Sequence, residues 1–472
     1  MLFKQGNQNK VPANTNNQEM IDSFADQADE DLLRSPNGRA IIGDKRNDEN
    51  SIVSQVHLSF VKFHNAIVAK LKTKEDTKHL TGTALFQAAR NEVRWAYQKL
   101  VIEDFLPRIV KPEVLEDLEK AKNPANRSSC YALYTNDKRA NLPREFVVAA
   151  YRFGHSGVRF GYRLNSDNEP SNGKPGRFSI FAPSDDLTGN SLLGFDPLRQ
   201  IDRIDNWSRF FPTTTPLTIP PNGLGDPPIP NPQDPDGDIA NPAIRLQFAY
   251  KIDTTLVDPL TVLPPVVLPT SSSPGGAIKE VEDAIKPDVL PAPKDRPSLA
   301  LLNLLRGNTY KVQSGQEIAK VLKEKGFRQN DGNQPEKQGL PIEPLDKKYL
   351  VVRKPAEGKE GFLKFESIDS KLLTDTPLWF YILAEAQAGI VDRVQFQSDG
   401  TFEEDQLTDP KIAQTQLGWV GGRIVAEVFY GLMDSDRESY INAAPVGWKP
   451  IWVDDKDSKI IFANLLEFAG QK

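Results

Sequence analysis

"VVAAYRFGHSGVRFGYRL", residues 147–164, carries one of only four histidines in a chain of 472 residues. His155 stands between Gly154 and Gly157, with Arg152 and Arg159 close by in sequence. On a helix, Val148, Arg152, His155 and Arg159 fall on one face. A glycine inside a helix costs roughly 0.5–1 kcal/mol relative to alanine, so two of them point to the close approach of something large and flat. The ordinary alternative is a core histidine beside a helix crossing, and residue types alone leave both open.

Asn303 is the next residue out of keeping with its surroundings. In "SLALLNLLRG" it is the one amide inside a leucine run, with Arg306 one turn later. A buried amide must be hydrogen-bonded, either to a neighbouring backbone or to the Nδ1 side of a metal-ligating histidine. Upstream, "GRAIIGDKRNDENS", residues 38–51, ends in a plausible N-cap at Asn50 or Ser51, which does not explain Arg46. His57 and His64 lie seven residues apart on one helix, a spacing that metal pairs do not favour, and both read as structural. His79 follows a lysine-rich turn and reads as solvated.

Composition removes several classes. The formal charge of −6 and a pI near 5.5 argue against a general nucleic-acid binder. A single cysteine, Cys130, excludes an internal disulfide framework and any cysteine-built metal centre. No stretch approaches the roughly 18–20 apolar residues of a membrane helix. The start, "MLFKQGNQNKVPANTNNQEM", has no apolar export core, and residues 1–30 read as polar and poorly ordered. Neither a phosphate-binding loop nor an H-E-x-x-H motif is present, and "RFGHSGVRFGYR" is too irregular for a dinucleotide fingerprint.

Helical spacing of Val53, Val56, Phe60, Phe63, Ile67 and Leu71 predicts a helix over 51–72. A second is expected over 83–106, ending before Pro107, and a third starting at Pro143. Residues 211–242 hold ten of the 37 prolines and exclude regular structure. Helix resumes at 297–307 and at "SGQEIAKVLKEKG", where Ser314 and Glu317 have capping-box spacing. Two more are expected at "TPLWFYILAEAQ" and "GGRIVAEVFYGLM". The fold class is therefore mainly α, one helical domain over 31–465 with a long proline-rich irregular middle at 165–296.

Taken together these stretches resemble the animal-type haem peroxidases, and most closely their bacterial members. "IIGDKRNDENSIVSQVHLSFVKFHNAIV" is similar to the family's "GDxRxxEN…LHxLFxxxHN" block, "AYRFGHS" to its "FRYGHT" block, and "LLNLLRGNTYKVQSGQEIAKVL" to its "LNxxRGRDHGLPxYNxxR" block. The three occur in the family's order. "LGWVGGRIVAEVFYGLM" resembles the segment that closes the domain.

The resemblance implies a haem b whose iron takes His155 as its axial, metal-binding ligand, with Asn303 as the partner of that imidazole. It implies Arg46 as the catalytic distal arginine and Glu49 as the residue that can form an ester to the haem edge. Arg152 and Arg306 are implied as supports of the haem propionates or of the proximal network. The implied activity reduces hydrogen peroxide and oxidises a small-molecule donor, with no nucleic acid involved. Two departures are visible. The family's distal histidine and calcium loop lie upstream of "GDxR", and this chain has no histidine before His57, so both are expected to be missing, as in a late-starting or degenerate relative. Lost general-base catalysis lowers rates by typically about 10²–10⁴, so this chain alone is expected to turn over poorly. "GNTYKVQSG" also replaces "GRDHGLP". Alternatives are a fatty-acid dioxygenase of the same superfamily, which calls for a tyrosine where Arg152 stands, and a non-catalytic haem-binding scaffold. Donor, oligomeric state and localisation stay open.

Overall fold

A computed structural model of the chain describes residues 30–36, 38–119, 131–134, 142–165, 178–180, 191–211, 247, 249–257, 260, 298–329, 340–408, 415–445, 448–453 and 461–471. The polar N-terminus and most of the proline-rich middle fall outside these residues. The chain divides into two compact units, each assembled from separated stretches: Met1–Leu100 with Phe160–Phe248 and Ala444–Lys472, and Val101–Arg159 with Ala249–Ala443.

The first unit is built on the helices Ser51–Thr73 and Gly82–Leu100. Asn50 starts the first of them, its side-chain oxygen accepting from the Ile52 and Val53 amides at 2.9 and 3.4 Å, which satisfies donors that a helix start leaves unpaired. Phe63, Ile67 and Leu71 bury one stripe of this helix against Leu85, Ala89, Ala96 and Leu100, and Leu465 of the helix Phe462–Phe468 closes the cluster. Val53, expected on the buried stripe, is instead 42 % exposed. His57 meets the Asn47 amide at 3.0 Å, His64 is buried, and His79 is exposed.

The second unit surrounds two helices, Leu378–Arg393 and Trp419–Ser435, whose buried faces supply most of its core. Two of its carboxylates are met by partners within the unit. Arg423 Nε lies 2.5 Å from Glu427 Oε1, both side chains fully buried, and the Glu427 carboxylate accepts from the Ala132 and Leu133 amides at 2.7 and 2.8 Å. Glu385 accepts from Val420 and Gly421 at 3.0 and 3.1 Å, capping the second helix from its neighbour. The capping box read at Ser314 and Glu317 starts the helix Gly315–Glu324.

Three features differ from the sequence reading. The helix expected over 83–106 stays regular only to Leu100, widens into a π turn at Val101–Phe105 and ends in Leu106–Ile109. Pro107 lies in the first turn of that last piece, where its missing N–H breaks no helical bond. The helix entered at Pro143 is a π turn, Glu145–Ala149, followed by a 3-10 helix, Ala150–His155. A small antiparallel sheet, Val351–Pro355, Phe362–Ser367 and Thr401–Glu403, was not foreseen. Its first hairpin turns through Gly358 and Gly361, both at positive φ. The described residues are otherwise dominated by helix, and the mainly-α class holds. None of their helices is long and apolar enough to cross a membrane.

Candidate haem site

Winding down from π to 3-10 geometry sets how His155 is presented. A 3-10 helix has three residues per turn, so side chains three apart lie one above the other. Arg152 and His155 are therefore stacked, and Arg159 lies beyond the helix rather than on its face. Facing this pair, the helix Leu299–Thr309 carries Asn303 and Arg306, also three apart. Asn303 is fully buried, and its Nδ2 lies 2.9 Å from His155 Nδ1. Trp379 holds the turn from outside, its Nε1 donating to the Arg152 carbonyl at 3.1 Å. The sequence reading did not single out Trp379, since a tryptophan opening a helix reads as ordinary core.

Electrostatics keep this imidazole neutral. Burial first, then the positive charges of Arg152 and Arg306, push His155 down to about 4. At neutral pH the ring thus has a lone pair to give. Burial and the nearby Arg306 pull Arg152 down to about 10, and burial lowers Arg306 as well. Among the described residues neither guanidinium has a carboxylate partner; Arg152 Nε donates only to the Val147 carbonyl, at 3.1 Å.

The second unit thus brings together His155, Asn303, Arg152 and Arg306. Arg46 and Glu49 lie in the first unit, at the 3-10 turn Lys45–Asp48 and just after it. Arg46 is largely exposed and ion-paired with Asp44 at 2.5 Å, an interaction that raises the arginine and lowers the aspartate to about 2. Glu49 is at the surface, and the protein on one side of its carboxyl raises its pKa. Next to this turn the segment Leu193–Phe195 is pinned by backbone bonds, Gly194 N to Glu49 O at 3.0 Å and Phe195 N to Asp48 O at 2.7 Å. Sequence inspection passed over this segment, because its strained backbone leaves no mark in residue types.

The residues of the second unit fit a haem. Asn303 Oδ1 is buried without a partner. With Nδ2 donating to Nδ1, the imidazole proton sits on Nε2. Turning the isosteric amide end for end puts Oδ1 on a protonated Nδ1 and frees the Nε2 lone pair for iron. Two half-buried guanidiniums without carboxylates match a ligand bearing two carboxylates. Around Gly154 a side chain would meet nothing within 4 Å, which leaves room at the ring; Gly157 instead packs against the Tyr250 carbonyl and Ala249.

Comparison with known proteins points to one family. Residues 3–199 match the family model of the animal haem peroxidases. Human thyroid peroxidase is 27 % identical over 162 residues, 34 % of this chain and 16 % of that protein. Mouse myeloperoxidase is 29 % identical over 136 residues, 29 % of this chain and 17 % of that protein. Among solved structures, peroxidase A of Dictyostelium discoideum aligns with a TM-score of 0.45 at 15 % identity, covering 92 % of this chain and 58 % of that one. The chain matches about a sixth of the length of the two curated relatives named, and it is a relative of the animal haem peroxidases.

Proposed function

We propose that this chain binds haem b through His155 and works as a haem-dependent peroxidase, reducing hydrogen peroxide with electrons from a small donor. The observation that carries the reading is a neutral imidazole fixed at 2.9 Å by a buried amide, beside two arginines that meet no carboxylate among the described residues. Bound haem supplies the redox-active iron at which peroxide is reduced.

The chain's own residues supply the rest. His155 would offer Nε2 to the iron, because burial and two cations keep it unprotonated. Asn303 fixes the ring plane, and as an acceptor from Nδ1–H it raises the ligand's basicity. Arg152 and Arg306 would hold the propionate carboxylates through charge-assisted hydrogen bonds. By resemblance alone, Arg46 would supply positive charge toward peroxide, and Glu49 would be the residue able to form an ester with the haem edge. The dioxygenase alternative gains nothing here, since Arg152 occupies the position where it calls for a tyrosine.

Haem titration of the purified chain tests the reading. Wild type is expected to develop a Soret band and to consume peroxide in the presence of a donor, and His155→Ala to lose the band. A wild-type band without peroxide consumption turns the reading into the scaffold alternative. No band in wild type ends it.

A further inference from the structure

The winding of the turn Ala150–His155 decides where its imidazole points. Three residues advance a full circle in a 3-10 helix but only about 300° in an α-helix. Relaxed to α geometry, this turn would swing His155 by about 60° relative to Arg152, away from the Asn303 amide that now stands 2.9 Å from its ring. Apolar burial does not choose between the two windings. Ala150 and Phe153 are both buried, and residues three apart share a face of either helix.

A directional bond does choose. A carbonyl oxygen has two lone pairs, and in a 3-10 turn that of Arg152 offers one to the amide three residues on, which is the amide of His155. The other accepts from Trp379 Nε1 at 3.1 Å. Trp379 stands in the first turn of the helix Leu378–Arg393, 5 % exposed and packed into the core of the second unit. Packing fixes the indole, and the indole N–H fixes the carbonyl. Just upstream the chain leaves helical geometry: Ala149, where the π turn passes into the 3-10 helix, has φ −132° and ψ −71°. The turn that carries His155 is thus anchored from outside rather than carried on from the helix before it.

We infer that Trp379 is a positioning residue for the axial ligand: its indole N–H, bound to the Arg152 carbonyl, keeps the His155 turn in 3-10 winding and so sets the imidazole against Asn303. Trp379 acts through the turn and takes no part in the chemistry. The word ligand rests on the peroxidase reading, whereas the hold on the turn belongs to the haem-free chain.

The test uses the full chain with Trp379→Phe, which keeps a buried ring without the donor. A second variant carries benzothienylalanine at position 379, with sulfur in place of the indole N–H, and leaves the packing almost unchanged. Hydrogen exchange is measured first, without haem. The Ser156 and Gly157 amides, which bond the Phe153 and Gly154 carbonyls at 3.1 Å, are expected to exchange roughly threefold to tenfold faster in both variants. Amides of the helix Gly315–Glu324, in the same unit, are expected to keep their wild-type rates. Haem affinity, from Soret titration, is expected to fall by a similar factor. Combined with Asn303→Leu, the loss should be smaller than the product of the two separate losses, because both variants act on one imidazole. Unchanged exchange at Ser156 and Gly157 overturns the inference, and so does equal acceleration throughout the unit, the mark of a merely structural tryptophan. Losses of haem affinity that simply multiply overturn it as well. A wild-type chain that develops no Soret band overturns the ligand assignment together with the peroxidase reading; faster exchange confined to the turn still upholds the hold of Trp379, so the two failures are told apart.

Discussion

Arg34 in the first unit and Arg306 in the second are both withdrawn from water, and the protein treats them in opposite ways. Arg34 is 6 % exposed and meets Asp48 at 2.7 and 2.8 Å and Asp31 at 2.9 and 3.1 Å. Burial alone lowers its pKa, but hydrogen bonds to both carboxylates more than reverse this and leave it raised. Asp31 also accepts from the Leu198 amide at 3.0 Å, so the group ties three stretches of chain together. Around Arg306 and Arg152 no described carboxylate does the same, and both are lowered. Buried charge matched from within holds the fold; buried charge left unmatched is chemistry waiting for a ligand.

Breaking the matched site gives the largest effect. Arg34→Met strands Asp31 and Asp48 as uncompensated buried charges and is expected to destabilise the protein by about 3–5 kcal/mol, measured by urea unfolding. Asn303→Leu acts on the ligand site instead. Loss of the histidine's partner is expected to weaken haem binding roughly tenfold to a hundredfold, read from Soret titrations, with the haem-free protein folded as before. Arg306→Met should sharpen the contrast: haem-free stability unchanged or raised by up to about 1 kcal/mol, since a half-buried unpaired charge is removed, and haem affinity lowered. An Arg306→Met protein destabilised as strongly as Arg34→Met would show that Arg306 is structural.

The smallest effect concerns pH. Surrounding protein raises Glu385 above its ordinary value of 4.5, against the opposing pull of the amides it caps. In the window between 4.5 and that raised value the folded chain holds more protons than the unfolded one. Stability is then fully present below the window and falls as pH rises through it. Glu385→Gln keeps an acceptor for Val420 and is expected to flatten that part of a melting-temperature profile. An unchanged profile would show that the carboxyl is not held above its ordinary range.

Much of this could be read from residue types. The helix at Ser51–Thr73 followed from apolar spacing and an asparagine cap, and the Ser314–Glu317 capping box from two residues three apart, because such signals are local. Non-local features were hidden. The π turn that carries the chain past Leu100 and the narrowing helix before His155 arise from packing against other segments. The sheet at Val351–Pro355 forms partly with Thr401–Glu403, a strand of three residues with no pattern of its own. At the candidate site, the identities of His155, Asn303, Arg152 and Arg306 were suggestive, while Trp379 carried no mark.

By itself the sequence determined a helix-dominated chain, a shortage of histidine that makes position 155 conspicuous, and a leucine run interrupted by one amide. Only the tertiary structure decided that this amide meets that imidazole, that no described carboxylate meets the two arginines beside them, and that the backbone at Phe195 turns left-handed, with φ 70°. Hydrophobic period and capping are written within a few neighbouring residues. Protonation, unpaired charge and backbone strain depend on segments far apart in the chain, and exist only once those segments have been folded against one another.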